Sequence, residues 1–309
     1  MCIRDRLRDD NRQIVTVYSR IIANTINEES DANLGFVFDE IIKKVQFPIV
    51  YTDKLNIPLY ARNIDQNKNK DNVVLFDIKR DSYHDLESFL HNHSIDLVFN
   101  LVHGEGGEDG KIQTLLENKK RKFTGSSSES CILTWDKVAT KRALIANDIL
   151  TPQFKSIKNN EHFDFNDSFF TENEHYFVKP NFNGSSYGIS KVSDKKFNEA
   201  LKEAKKYSTE VIIEKSFNGP EYTVALLKGK PLTPLQILHD PIRGFYDYEA
   251  KYNSQNTQKI KIEDESIVKR LKEISEKVFD CLNCKTWARV DFVSEGEKLA
   301  VIEINSVPG

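Results

Sequence analysis

The chain has 309 residues, 44 Lys and Arg against 47 Asp and Glu, and a net charge of −3, so it lacks the electrostatic signature of a nucleic-acid or membrane-surface binder. With 39% hydrophobic residues, 19 Phe and 11 Tyr, it has apolar material for two or three packed domains, which excludes global disorder. Its longest apolar stretches, such as residues 95–102, fall far short of the roughly 20 residues that span a bilayer.

The basic start at residues 1–8 is followed by no apolar core of a secretory signal. It fits neither a helix nor a strand pattern and reads as an assembly or cloning artefact. Four cysteines suit a reducing cytoplasm. Cys281 and Cys284 form a CxxC with no second pair to complete a metal set, so both are expected to be ordinary helix-end cysteines.

In chain order, short apolar runs predict strands at 13–18, 47–51, 73–78 and 95–101, with a helix at 83–92, the βαβ rhythm of a parallel sheet. The last of these runs is apolar nearly throughout, as a strand covered on both faces should be, and it delivers His103 to a strand end where ligands collect. A helix at 136–147 is stopped by the turn at 150–152. A strand at 175–179 leads into a Gly/Ser-rich loop at 181–190, and a helix at 195–207 and strands at 210–214 and 221–227 follow. A long amphipathic helix at 267–281 and two strands, 286–293 and 298–304, close the sequence. There is no internal repeat and no low-complexity tract.

Arg289 and Asp291 alternate with apolar residues on one late strand, and Glu303 and Asn305 do so on the next. If the two form a hairpin around 294–297, all four share one surface. Three oxygen ligands and a guanidinium would then suit one or two Mg²⁺ ions bridging a polyphosphate. The competing reading is a solvated sheet face with ion pairs. Burying Glu303 in an apolar strand is costly unless it meets a cation, which favours the metal. Lys137 and Lys179 would bring positive charge to the same phosphates. Lys137 and Lys141 share a helix face and one of them is expected to be merely solvated, the Asp-Lys context selecting Lys137. The loop after Lys179 offers backbone N–H groups. It is not a Walker A loop, and no GxGxxG follows a strand.

Seven segments occur in an order and spacing that resembles the D-alanine:D-alanine ligase family of the ATP-grasp superfamily. They are His103-Gly104-Glu105-Gly106-Gly107-Glu108-Asp109-Gly110; Asp136-Lys137; Val178-Lys179-Pro180 with Gly184-Ser185-Ser186-Tyr187-Gly188; Glu214-Lys215 with Gly219-Pro220-Glu221; Tyr246-Asp247-Tyr248-Glu249-Ala250-Lys251-Tyr252; Ala288-Arg289-Val290-Asp291; and Glu303-Ile304-Asn305-Ser306-Val307-Pro308-Gly309. The likeness runs from about residue 73 to 309.

The resemblance implies a mixed α/β and α+β chain. An N-terminal parallel-sheet, pre-ATP-grasp domain (1–125, with 1–72 unassigned in detail) would be followed by a central ATP-grasp lobe (126–213) and a C-terminal lobe (214–309). It also implies ligation of two D-alanines for peptidoglycan through an acyl phosphate, with ATP cleaved to ADP and phosphate. Lys137, Lys179 and Lys251 would contact the ATP phosphates, Glu214 would line the adenine pocket and Glu221 would hold the ribose. Asp291, Glu303 and Asn305 would ligate two Mg²⁺ ions, with Mn²⁺ as the alternative. His103, Ser185 and Tyr252 would sit near the amino acids, while Arg289 and the Gly309 backbone N–H would steady the tetrahedral intermediate. Residues 244–260 would form a lid excluding water. A cytoplasmic enzyme, often a homodimer, with small-molecule substrates and neither nucleic-acid nor membrane partners is the expectation. Two other readings are a carboxylate–amine ligase with different substrates and a non-catalytic ATP-binding module.

Two departures stand out. The family's early Gly-Gly-x-Ser-x-Glu loop has no counterpart after either of the first two strands, and without its glycines Glu28 or Glu29 is not expected to replace its glutamate. The sequence also stops at Pro308-Gly309, where family members continue, so the C-terminal lobe is expected to be incomplete.

Overall fold

A computed structural model describes residues 49–52, 58–62, 76, 78, 83–102, 104–159, 161, 167–171, 174–183, 188–193, 196–238 and 258–307. The chain divides into two compact units, residues 1–94 and 95–309. In the first, β1 (Ile49–Thr52) pairs antiparallel with β2 (Pro58–Arg62). The connection 53–57 is too short for the crossover that a parallel neighbour needs, so the strand expected at 47–51 forms a hairpin instead. α1 (Tyr83–Asn92) covers the span its periodicity predicts and buries Leu86 and Leu90, one turn apart. The strand expected at 13–18 lies outside the described residues.

The second unit begins with α2 (Lys111–Asn118), α3 (Ser128–Trp135) and α4 (Lys137–Ala146). Before them, the strand expected at 95–101 is reduced to one parallel bridge between Val98 and Phe123. Leu97, Phe99 and Leu101 are exposed there, so this run is not covered on both faces as its composition suggested.

β3 (Phe154–Lys158), β4 (Tyr176–Pro180), β5 (Ser190–Val192), α5 (Phe197–Ala204) and β6 (Glu210–Lys215) follow. The strands form an antiparallel sheet in the order β3-β6-β4-β5. α5 places Phe197, Ala200, Leu201 and Ala204 on one stripe, and this packs with Tyr176, Val178, Val211 and Ile213. Strand alternation sends the intervening residues, Phe177, Lys179, Ile212 and Glu214, to the opposite face.

The larger sheet comprises β7 (Glu221–Leu227), β8 (Lys230–Pro231), β9 (Leu235–Leu238), β10 (Gln258–Lys261), β11 (Trp287–Glu295) and β12 (Lys298–Asn305). Its order is β10-β9-β7-β11-β12, with β8 paired to β7. α6 (Glu265–Cys281) starts where the Asp264 carboxylate accepts the backbone N–H groups of Ser266 and Ile267. Its Leu271, Val278 and Phe279 join Tyr222, Val224, Leu226, Val290 and Phe292 of the sheet in one core, which also takes in Leu144 of α4. Glu221 and Thr223 alternate with those core residues and therefore face away from α6. Cys281 ends α6, and both it and Cys284 are free thiols, as the sequence suggested.

Candidate active site

The hairpin of β11 and β12 forms in the expected register, with Arg289 opposite Asn305 and Asp291 opposite Glu303. A bulge after Asp291 absorbs one residue of β12, so beyond it Phe292 faces Val301. The Asp291 carboxylate collects donors from three strands. Arg289 donates through Nε at 3.1 Å, Thr223 of β7 through Oγ1 at 2.7 Å, and Asn305 through Nδ2 at 3.2 Å. Because Asn305 donates through its amide nitrogen, its carbonyl oxygen is left as an acceptor. Lys259, on edge strand β10, reaches this face through the register Lys259–Ile237–Glu221 and feels the charges of Arg289 and Asp291.

Lys137 opens α4. Asp136 caps that helix by accepting from the Ala139 N–H at 2.8 Å, and the fully buried Asn181 ties the cap to the end of β4 by donating to Asp136 and accepting from the Val138 N–H. The Lys137 ammonium donates to the Asn183 carbonyl at 2.5 Å, beside the start of the Gly/Ser loop. A cleft open to solvent is lined by Lys137, Asn183, Glu108, Glu303, Asn305 and Ser306, among others. Residues far apart in sequence thus present a cation and several oxygen donors to one space.

Glu108 was part of a motif but carried no role. It lies in a turn where its carboxylate accepts the Gly104 N–H at 2.7 Å, and the Gly107 carbonyl accepts from Asn100 and Gln113. Its pKa rises from 4.5 to about 7, first because burial penalises the charge and then because the Glu303 carboxylate repels it, while the Gly104 N–H, Arg289 and Lys137 oppose. Carboxylate and amide oxygens on facing strands, with Glu108 beside them, fit a divalent cation such as Mg²⁺. Among the described residues no three His, Cys, Asp or Glu side chains cluster as a metal site. The donor set here is two carboxylates and an amide.

Lys179 of β4 pairs with the Glu214 carboxylate of β6 on the face of the smaller sheet away from α5. Lys141 pairs with the same carboxylate at 2.8 Å and is 1% exposed, so the expectation that one of Lys137 and Lys141 is merely solvated is corrected. The signal was in the sequence, since Lys141 stands midway between the buried Val138 and Leu144 at spacings of three. Burial alone would raise the Glu214 pKa, but the two ammonium groups and their hydrogen bonds bring it to about 2. Glu221 opens β7 on the same face as Thr223. His103, Ser185, Lys251, Tyr252, Gly309 and most of the expected lid lie outside the described residues.

Two antiparallel sheets, with a cleft that brings Lys137 and Asn183 to Glu303 and Asn305 of the larger one, make this an ATP-grasp protein. Residues 14–126 match the family model described as D-ala D-ala ligase N-terminus, and residues 146–309 match that described as D-ala D-ala ligase C-terminus. The chain belongs to the D-alanine–D-alanine ligase family. The N-terminal match begins well before residue 73, the point from which the motifs alone carried the likeness. A D-alanine–D-alanine ligase from Vesicomyosocius okutanii is 39% identical over 79% of this chain and 82% of the relative. The ATP-complexed D-alanine–D-alanine ligase of Bacillus anthracis superposes with a TM-score of 0.63 at 28% identity, covering 73% of this chain and 72% of that one. The VanG D-Ala:D-Ser ligase of Enterococcus faecalis gives 0.60 at 26% identity, covering 70% and 65%. Among the described residues no helix is long and apolar enough to cross a membrane.

Proposed function

We propose that the chain joins two D-alanines in an ATP-dependent reaction that supplies peptidoglycan precursors. The observation that carries this reading is the cleft where Lys137 meets Glu303 and Asn305, beside the Asp291 carboxylate and Arg289. A carboxylate attacking the terminal phosphate must approach another anion, and lysine and arginine side chains lower that repulsion. Lys137 and Lys179 hold the phosphates, together with Lys251 in the lid. Glu214 lines the adenine pocket and Glu221 holds the ribose. Asp291, Glu303 and Asn305 would hold Mg²⁺, which supplies charge neutralisation across the phosphates when bound. Arg289, anchored by Asp291, turns its guanidinium toward the charge that develops when the amine adds to the acyl phosphate. His103, Ser185, Tyr252 and the Gly309 N–H complete the amino-acid side of the site.

The test is phosphate release. It should require D-alanine and Mg²⁺ together, and brisk release without D-alanine, or with an L-amino acid alone, would sink the reading. The likeness to a D-Ala:D-Ser ligase favours a second reading in which the acceptor is D-serine. Competition between D-alanine and D-serine as second substrate, read from the products, decides between them. Glu303→Gln should abolish turnover while leaving the fold intact by far-UV circular dichroism, and undiminished turnover would remove the metal role from Glu303.

A further inference from the structure

Two lysines share one buried carboxylate, and their surroundings differ. The Lys141 ammonium spends its three protons inside the protein, on Glu214 Oε1 at 2.8 Å, on Thr151 Oγ1 at 2.5 Å and on the Pro152 carbonyl at 3.4 Å. Thr151 in turn donates to the Val301 carbonyl at 2.7 Å, so the end of that chain is fixed by β12. Its side chain is 2% exposed and has no route to a ligand. Lys179 meets the other oxygen, Glu214 Oε2, and its side chain is 13% exposed. Only Lys179 is placed to exchange Glu214 for another anion.

That exchange has an electrostatic condition. A buried carboxylate left without a counter-ion is strongly destabilising, so Lys179 can leave Glu214 only if a second cation stays behind. We propose that Lys141 is a positioning residue for nucleotide binding: as the permanent counter-ion of Glu214, it frees Lys179 to turn from that carboxylate to the phosphates when ATP enters. The low pKa of Glu214 agrees for the state in which both ammonium groups pair with it, where they hold the carboxylate ionised against the cost of burial. The inference rests on the ATP-binding reading above and adds a residue to it that never touches the nucleotide.

The test compares two ligands, ATP and adenosine, by titration calorimetry on the full chain. Removing Lys141 leaves Glu214 and Lys179 locked together, so the phosphates lose one of their three lysines while Glu214 keeps a counter-ion and its place at the adenine pocket. Lys141→Met should weaken ATP by about tenfold or more while changing adenosine affinity by less than about threefold. Equal weakening of both ligands, or of neither, overturns the proposal and leaves the ATP-binding reading standing. An unsubstituted chain that binds no ATP overturns that reading, and the proposal falls with it. The double variant Lys141→Met, Glu214→Gln removes the fully buried ion pair and leaves only the Lys179 ammonium, which can reach solvent, so it keeps the proposal testable even if the single variant does not fold. Its preference for ATP over adenosine should return to within about threefold of the unsubstituted chain, because Lys179 has nothing left to hold it. A preference that stays tenfold lower overturns the proposal.

Discussion

Glu108 shows how one side chain reports on the whole cleft. An acid whose pKa is raised by folding favours the protonated folded state, so it withdraws stability as pH climbs from the unfolded value of 4.5 to the folded value of about 7. Glu108→Gln carries no such charge. Its melting temperature should therefore exceed that of the unsubstituted chain by a gap that opens between pH 4.5 and about 7 and then stays level. A gap that is flat across that range, in differential scanning calorimetry without divalent ions, would show that burial and Glu303 together do not raise the Glu108 pKa. Adding Mg²⁺ should narrow the gap, since a cation beside Glu303 removes the repulsion. At this scale the sequence was legible where strand alternation governs, as in Arg289, Asp291, Glu303 and Asn305. At Lys141 the helical spacing shows which face the side chain takes, but not its buried partners, Glu214 and Thr151. Those partners come from distant segments, and no local pattern announces them.

The elements that were legible are the ones whose own residues specify them. α1 and β7 follow their periodicities, and α6 follows its Asp264 cap. α2 and α3 carry no such signal in their own residues. Gly110 precedes α2 with φ at 86°, offering no capping side chain, and α3 is led by a serine run that reads as loop although Ser127 caps it. The turn between the bridge residue Val98 and α2 carries Glu108, and its glycines are not equivalent. A Cβ on Gly107 would lie 1.8 Å from the Val102 carbonyl oxygen, which belongs to the backbone and cannot move aside, whereas one on Gly104 meets nothing within 4 Å. Gly107→Ala should thus cost about 1–3 kcal/mol and depress turnover. Gly104→Asn, which only has to adopt a φ of 72°, should cost less than about 1 kcal/mol. Equal thermal shifts for the two variants would contradict this account of the turn.

Across the second unit, the two sheets have separate cores and are joined by polar contacts. The Lys141 and Thr151 side chains run from Glu214 on β6 to the Val301 carbonyl on β12, and the Val301 N–H returns to Leu150 at 2.8 Å. A ligand gripped by both lobes binds the folded chain and not the unfolded one. ATP with Mg²⁺ at about a hundred times its dissociation constant should raise the melting temperature by about 5 °C or more, and an unshifted melt would exclude binding of that strength. The near-zero net charge is consistent with such a site, because its lysines and carboxylates cancel in the total. One further consequence follows from the bulge after Asp291. Since it resets the pairing between the end of the hairpin that carries Asp291 and Glu303 and its far turn, the two ends are separate territories for descent. Gly296, with open space around it, can accept insertions or foreign peptides as lineages diverge, whereas a single residue gained between Glu303 and Asn305 would turn one of them to the wrong side of the sheet.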